Sequence, residues 1–351
     1  MAIRSPRSQS LAPGRRWRRW VVGLLAVLVI LVVLAYLGAS AYVYDQLSAV
    51  PPRCNDDAAR LANNPTSFHV KVGETDVEVD TAPYFMPEPG TVSFPSRGEP
   101  DITIAAWWGP SEASSASENG VATAPAVIFV HGHQSCRHEP EVLLAGGMLH
   151  RAGFSVLFID LRDQGDSTIE DGRYAGGADE YRDVLGAYDW LRAKGIPAER
   201  IGVAGQSLGA ATAMIAAGEE PGIAAVWEDS GFGDIRQALR DELEFRGFPA
   251  ILEPGGILMG RIIAGDDLAA HSPIDEVRKL DGRPIFITHG SADQHLFVHF
   301  ATDLADAVEN DGGRVEPWII EGAGHTRGIT LQTAEYDRLS VEFFTRALGS
   351  P

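Results

Sequence analysis

The chain has 351 residues, room for one large domain plus an extra segment. Lys+Arg number 29 against 48 Asp+Glu, a net charge of −19. Six of the arginines (Arg4, Arg7, Arg15, Arg16, Arg18 and Arg19) lie in the first twenty residues. Those residues hold no acid, so the rest sits near −25, with 23 basic against 48 acidic side chains. A body that acidic is a poor partner for nucleic acid and disfavours polyanionic substrates.

Residues 1–20 are polar and Arg-rich, as expected of a disordered cytoplasmic tail. Val21 to Tyr44 carries no charge. Its 24 residues reach about 36 Å as a helix, enough to cross a hydrocarbon core of about 30 Å. Trp17, Trp20, Tyr42 and Tyr44 stand where interfacial aromatics belong, and the arginines before the span put the N-terminus inside. The expectation is a signal-anchor in the cell membrane. It is single-pass, meets the bilayer through residues 21–44 and holds everything after Asp45 outside the cytoplasm. Two rivals exist. Ala39-Ser40-Ala41 resembles a signal-peptidase site, and Arg18-Arg19 faintly suggests twin-arginine export. The apolar run is longer than a usual cleaved h-region, which favours an uncleaved anchor.

Residues 45–66, with Pro51-Pro52 and Asn63-Asn64-Pro65, read as a stalk, and 67–351 as one domain. Alternating runs at Phe68–Val72, Asp76–Asp80, Thr91–Phe94 and Asp101–Trp108 predict an antiparallel region. Gly109 to Pro125 reads as a loop. After Pro125, strands alternate with helices. The strands are Ala126–Val130, Ser155–Ile159, Ile201–Ala204, Ala224–Trp227, Ile285–Thr288 and Val315–Ile319. The helices are Glu139–Arg151, Asp179–Lys194, Leu208–Ala217, Val298–Asn310 and Thr333–Leu348. Continuous apolar strands between amphipathic helices imply a parallel sheet covered on both faces. The stretch from Gly231 to Leu280 breaks the rhythm and predicts a helical cap over the site. Within it Phe232, Phe245, Phe248, Ile251 and Leu252 suit either an apolar acyl pocket or the cap's own core.

Gly205-Gln206-Ser207-Leu208-Gly209 lies between a β-branched strand and an alanine-rich helix. This is the nucleophile-elbow pattern: a serine at the tip of a sharp turn, with neighbours lacking Cβ so that strand and helix approach closely. A serine hydroxyl needs a base, and the base needs an orienting acid. Asp293 follows the strand Ile285–Thr288, and His325 stands in a Gly-rich loop after the last strand. Both addresses fall on the sheet edge that carries Ser207. Asp229, after the strand Ala224–Trp227, is a rival for the acid. An oxyanion hole would draw on the backbone N–H of Leu208 and on the loop after Val130, where His133 is the candidate and Gln134 a near rival. His131, His133 and His138 could instead be a metal cluster, but only Cys136 and Glu139 lie near to complete it. No metal is expected.

These motifs together resemble the α/β-hydrolase superfamily over about Asp101 to Leu348. They are His131-Gly132, Asp160-x-Arg162-x-x-Gly165-x-Ser167, Gly205-x-Ser207-x-Gly209, His289-Gly290-x-x-Asp293 and Gly324-His325. Within it the chain is similar to the dienelactone-hydrolase-like, serine-aminopeptidase-like and prolyl-oligopeptidase-like branches. The resemblance implies an α/β-hydrolase fold; with the segments read above, the expectation is a mostly parallel, doubly wound sheet with N-terminal antiparallel strands, a helical cap at about 231–280 and one N-terminal transmembrane helix. It also implies a cofactor-free serine hydrolase acting on a small-molecule ester, thioester or amide, and does not choose among them; carboxylic esters are this reading's first choice and peptides its second. No protein partner is suggested. A catalytically silent binding module of the same fold is the reading from another class. Asp163 departs from relatives that often carry glycine there, and His299 from those with proline. Cys54 and Cys136 face an oxidising side and can pair.

Overall fold

The computed structural model describes residues 14–50, 54, 58–72, 77–112 and 124–351. The expected tail up to residue 13, Asp76 and most of the loop expected before Pro125 lie outside the described residues.

Eight strands form one mixed sheet. They are β1 (Gly90–Ser96), β2 (Glu99–Gly109), β3 (Ala126–Val130), β4 (Ser155–Ile159), β5 (Ile201–Gln206), β6 (Ala225–Asp229), β7 (Ile285–Gly290) and β8 (Trp318–Ile320). Their order is β1-β2-β4-β3-β5-β6-β7-β8. The β1–β2 and β2–β4 pairings are antiparallel. The other neighbours run parallel. Every residue of β3, β4, β5 and β6 is buried, which is why these strands read as unbroken apolar runs. The runs at 68–80 stay outside this sheet. They pair with each other, Val79 N–H donating to Val70 O and Val72 N–H to Val77 O, each at 2.9 Å.

The long helices are α1 (Gly14–Ser48), α2 (Pro140–Arg151), α3 (Tyr181–Ala193), α4 (Leu208–Glu219), α5 (Ile235–Phe245), α6 (Glu253–Ile263), α7 (His299–Asn310) and α8 (Thr333–Leu348). Side chains of α3, α4 and α7 fill the core on one sheet face. Those of α2 and α8 fill the core on the other. A third apolar cluster joins α1 to the segment between β6 and β7, where α5 and α6 form the cap.

α1 has 35 residues, about 52 Å of helix, and is long and apolar enough to cross a membrane. Its two ends differ. From Val22 to Leu34 the large apolar side chains are exposed, whereas Ser40, Val43, Tyr44 and Leu47 are buried. The helix continues past Tyr44, and the residues expected to begin a stalk lie on the domain. Arg173 pairs with Asp45 at 2.7 Å, and Val50 N–H donates to Gly172 O at 2.8 Å. Cys54 and Cys136 form a disulfide, with Cα atoms 6.0 Å apart.

Candidate active site

Ser207 sits between β5 and α4 with φ 56° and ψ −124°, a conformation costing about 1–3 kcal/mol for a residue with a Cβ. The surrounding glycines make that turn possible. A Cβ on Gly205 would lie 2.1 Å from Gly209 O, and one on Gly209 would lie 2.3 Å from Val130 O. A Cβ on Gly132 would press on Ser207 Cβ at 3.2 Å, so the loop after β3 reaches the serine only without a side chain there.

His325, in the loop after β8, bridges two groups. Its Nε2 is 2.9 Å from Ser207 Oγ, and its Nδ1 is 2.7 Å from Asp293 Oδ2. Asp293 stands just past β7. Its Oδ1 accepts the backbone N–H groups of His295 at 2.9 Å and Leu296 at 3.0 Å. Its Oδ2 also faces His289 Nε2 at 3.3 Å. Burial alone would raise this carboxyl, but His289, His325 and the backbone donors outweigh it and hold it well below the usual carboxylate range. Burial likewise works against the His289 imidazolium. The Asp293 carboxylate, Glu228 and the Leu296 carbonyl overcome that, so its pKa is raised. The rival acid Asp229 is engaged elsewhere. Its carboxylate accepts from Ser230 Oγ at 2.8 Å and Tyr336 Oη at 3.0 Å.

The chamber beside Ser207 has a volume of about 550 Å³. His133 and Leu208 both line it, so both sequence candidates for the oxyanion site stand next to the serine. Leu208 is the first residue of α4, where backbone N–H groups have no intrahelical acceptor and the helix dipole is positive. The His133 ring packs on Tyr174 at 4.1 Å. The side chain of Gln134, the rival, donates to Ala49 O at 3.2 Å, which leaves its backbone N–H as an alternative to that of His133. The histidines of this loop do not converge on a metal. His131 spends both ring nitrogens on the backbone, at Gly132 O (2.8 Å) and Leu161 N (3.1 Å). His138 Nδ1 meets Asn63 O at 2.7 Å.

The other motifs build the frame. Asp160 holds the Arg137 backbone at 2.7 Å and its guanidinium. Arg162 binds buried Asp183 and Glu99. Asp163 has φ 63°, which explains why glycine suits this position. Here the strain is offset by the backbone N–H groups of Glu170, Asp171 and Gly172, all donating to Asp163 Oδ1. Sequence reasoning missed His289 as a partner of Asp293, although its motif was in view. It also missed Tyr174, Glu242, His295 and Leu47, which line the chamber from four separate segments. No local pattern marks them. Of the cap residues that suited either a pocket or the cap's own core, Phe232 and Leu252 line cavities, Phe248 packs against the cap cluster, and Phe245 and Ile251 are exposed.

An eight-stranded mixed sheet with helices on both faces, and a serine on a strained turn at its edge, defines an α/β-hydrolase. Solved structures agree on the fold. An esterase from Pyrococcus furiosus superposes with TM-score 0.57 at 20% identity, over 80% of this chain and 100% of its own. An acylaminoacyl peptidase from Pyrococcus horikoshii gives 0.54 at 18%, over 75% of this chain and 42% of its own. A puromycin-hydrolyzing peptidase from Mycobacterium tuberculosis gives 0.57 at 17%, over 78% and 42%. No curated protein matches at the level of sequence. The chain belongs to the prolyl oligopeptidase family, which matches residues 144–351. Family and fold together support a serine hydrolase.

Proposed function

We propose that the chain is a membrane-tethered, extracytoplasmic serine hydrolase that cleaves carboxylic esters. The observation that supports it most is His325 bridging Ser207 and Asp293 at 2.9 and 2.7 Å. In this reading Ser207 Oγ attacks the ester carbonyl carbon while His325 Nε2 takes its proton. Asp293 fixes the Nδ1–H tautomer and stabilises the imidazolium. The backbone N–H groups of Leu208 and His133 hold the oxyanion, each worth about 3–4 kcal/mol of barrier. The tetrahedral intermediate collapses, the alkoxide leaves with the His325 proton, and water activated by His325 hydrolyses the acyl-enzyme. Arginines ahead of the apolar length of α1 support an orientation with the N-terminus inside.

Ester cleavage is preferred because Leu47, Phe232, Ile235, Leu239 and Leu296 make most of the chamber wall apolar. Peptide or amide cleavage is the second reading. It is favoured by family membership and by Glu242, which pairs with Arg246 at 2.5 Å at the chamber. Hydrolysis of p-nitrophenyl esters beside aminoacyl p-nitroanilides, by the full chain in detergent, separates the two. A higher kcat/KM on esters is expected. A higher value on the anilides reverses the order, and activity on neither, with Ser207 inert, leaves a binding module.

A further inference from the structure

The serine chamber shares a wall with an apolar neighbour. Leu47, Tyr174, Ile235 and Leu239 wall both it and a second cavity of about 390 Å³. That cavity runs between the last turns of α1 and the cap, with Val43 and Tyr44 on one side and Leu243, Leu252 and Leu268 on the other. Among the polar groups of the far cavity, Ser48 and Glu253 are engaged, while the buried Tyr44 Oη has no hydrogen-bond partner among the described residues. Ser48 Oγ donates to Tyr44 O at 2.8 Å, and Glu253 is paired with Arg236 at 2.8 Å. Apart from the tyrosine hydroxyls, the walls left to a ligand are hydrocarbon.

The α1 wall is fastened in place. Tyr36 Oη donates to Ile251 O at 2.9 Å, Arg246 to Gln46 O at 3.1 Å, and Ser40 packs on Gly255. Outside the cavity, Ile251, Leu258, Ile262 and Ile263 on the cap are exposed beside the helix. Such a patch next to a candidate membrane span suits contact with an apolar phase.

We infer that the far cavity takes a single long acyl chain, whose ester carbonyl then lies at Ser207, and that the apolar helix forms part of the substrate pocket. The inference rests on the hydrolase reading above. A peptide in the same place could pair one group with Tyr44 Oη but would set the rest of its N–H and C=O groups against hydrocarbon, a desolvation cost an alkyl chain does not carry.

The full chain in detergent is assayed on p-nitrophenyl esters from acetate to laurate, and on dodecanoylglycerol in phosphatidylglycerol vesicles. Gly256 lines the far cavity, and a Cβ there meets no atom within 4 Å, so Gly256→Phe can fill the space. Wild type is expected to gain about fourfold in kcat/KM per methylene through the middle of the series, the rate equivalent of burying one CH₂. Gly256→Phe is expected to cut the decanoate-to-butyrate ratio at least tenfold. Vesicle hydrolysis would identify the bilayer as the source, and hydrolysis of dispersed esters alone would identify solution; both support the acyl site. A flat wild-type profile overturns it, whether or not the variant folds, and so does an unchanged ratio in the variant. Inertness to every ester, with no fluorophosphonate adduct, overturns the hydrolase reading instead.

Discussion

Glu228 lies directly behind the site, 1% exposed at the C-terminal end of β6. One carboxyl oxygen accepts the Gly231 N–H at 2.7 Å. Burial is the largest influence on it. It outweighs the nearby His289 and, with Asp229 adding to it, raises the pKa from 4.5 to about 7. The folded state therefore keeps a proton that the unfolded chain releases near pH 4.5. Stability from this group is fully present below pH 4.5, declines as pH rises, and is gone above about 7. The gap corresponds to about 3 kcal/mol. Glu228→Gln removes the titration and keeps an acceptor for Gly231. Urea unfolding of variant and wild type in detergent should give similar stability at pH 4.5. At pH 8 the variant should be more stable by about 3 kcal/mol. A difference that is the same at both pH values would refute the reasoning.

Two further outcomes follow from the geometry. Asp293→Asn should leave the two backbone donors partly served but present His325 Nδ1 with the wrong partner, lowering kcat on a short ester about 10⁴-fold with KM little changed. Asp293 is held well below its ordinary 3.8, so its contribution to stability is present above that pH and lost below it. The variant should accordingly lose more stability at pH 7 than at pH 3, as read by thermal melts. The Cys54–Cys136 bridge closes 82 residues and is worth about 4–5 kcal/mol in the chain-entropy model. Alkylation without reductant should leave the intact mass unchanged, and reductant should lower the unfolding midpoint. Two alkylated thiols without reductant would contradict the pairing.

Much of the fold is legible in the sequence because burial writes itself locally. β3 and β4 run from Ala126 to Val130 and from Ser155 to Ile159, the bounds their apolar runs predict. β8 begins at Trp318 rather than Val315. Pro317 has no N–H to give a ladder, so pairing starts after it. Helix Asp179–Lys194 starts two residues late, at Tyr181, where Glu180 takes the N–H groups of Ala175 and Gly177 instead. The runs at 68–80 alternate as strands do, but alternation does not say which edge they join. Ser207, Asp293 and His325, which the structure brings together, were legible as candidates because each carries a local address: a glycine turn or the end of a strand. His289, Tyr174 and Leu47 were not, because their part depends on segments far apart in the chain meeting at one chamber. The uncharged stretch to Tyr44 announced an apolar helix, yet nothing in it distinguishes an exposed Val33 from a buried Val43.

The account's central claim is that His325 makes the Ser207 hydroxyl a nucleophile. The most direct measurement is reaction of the folded full chain with a fluorophosphonate at neutral pH, with the adduct located by peptide mass. One adduct per chain at Ser207 is expected, forming orders of magnitude more slowly in His325→Ala. A folded wild type that stays unmodified, or labelling that persists in Ser207→Ala, would contradict it.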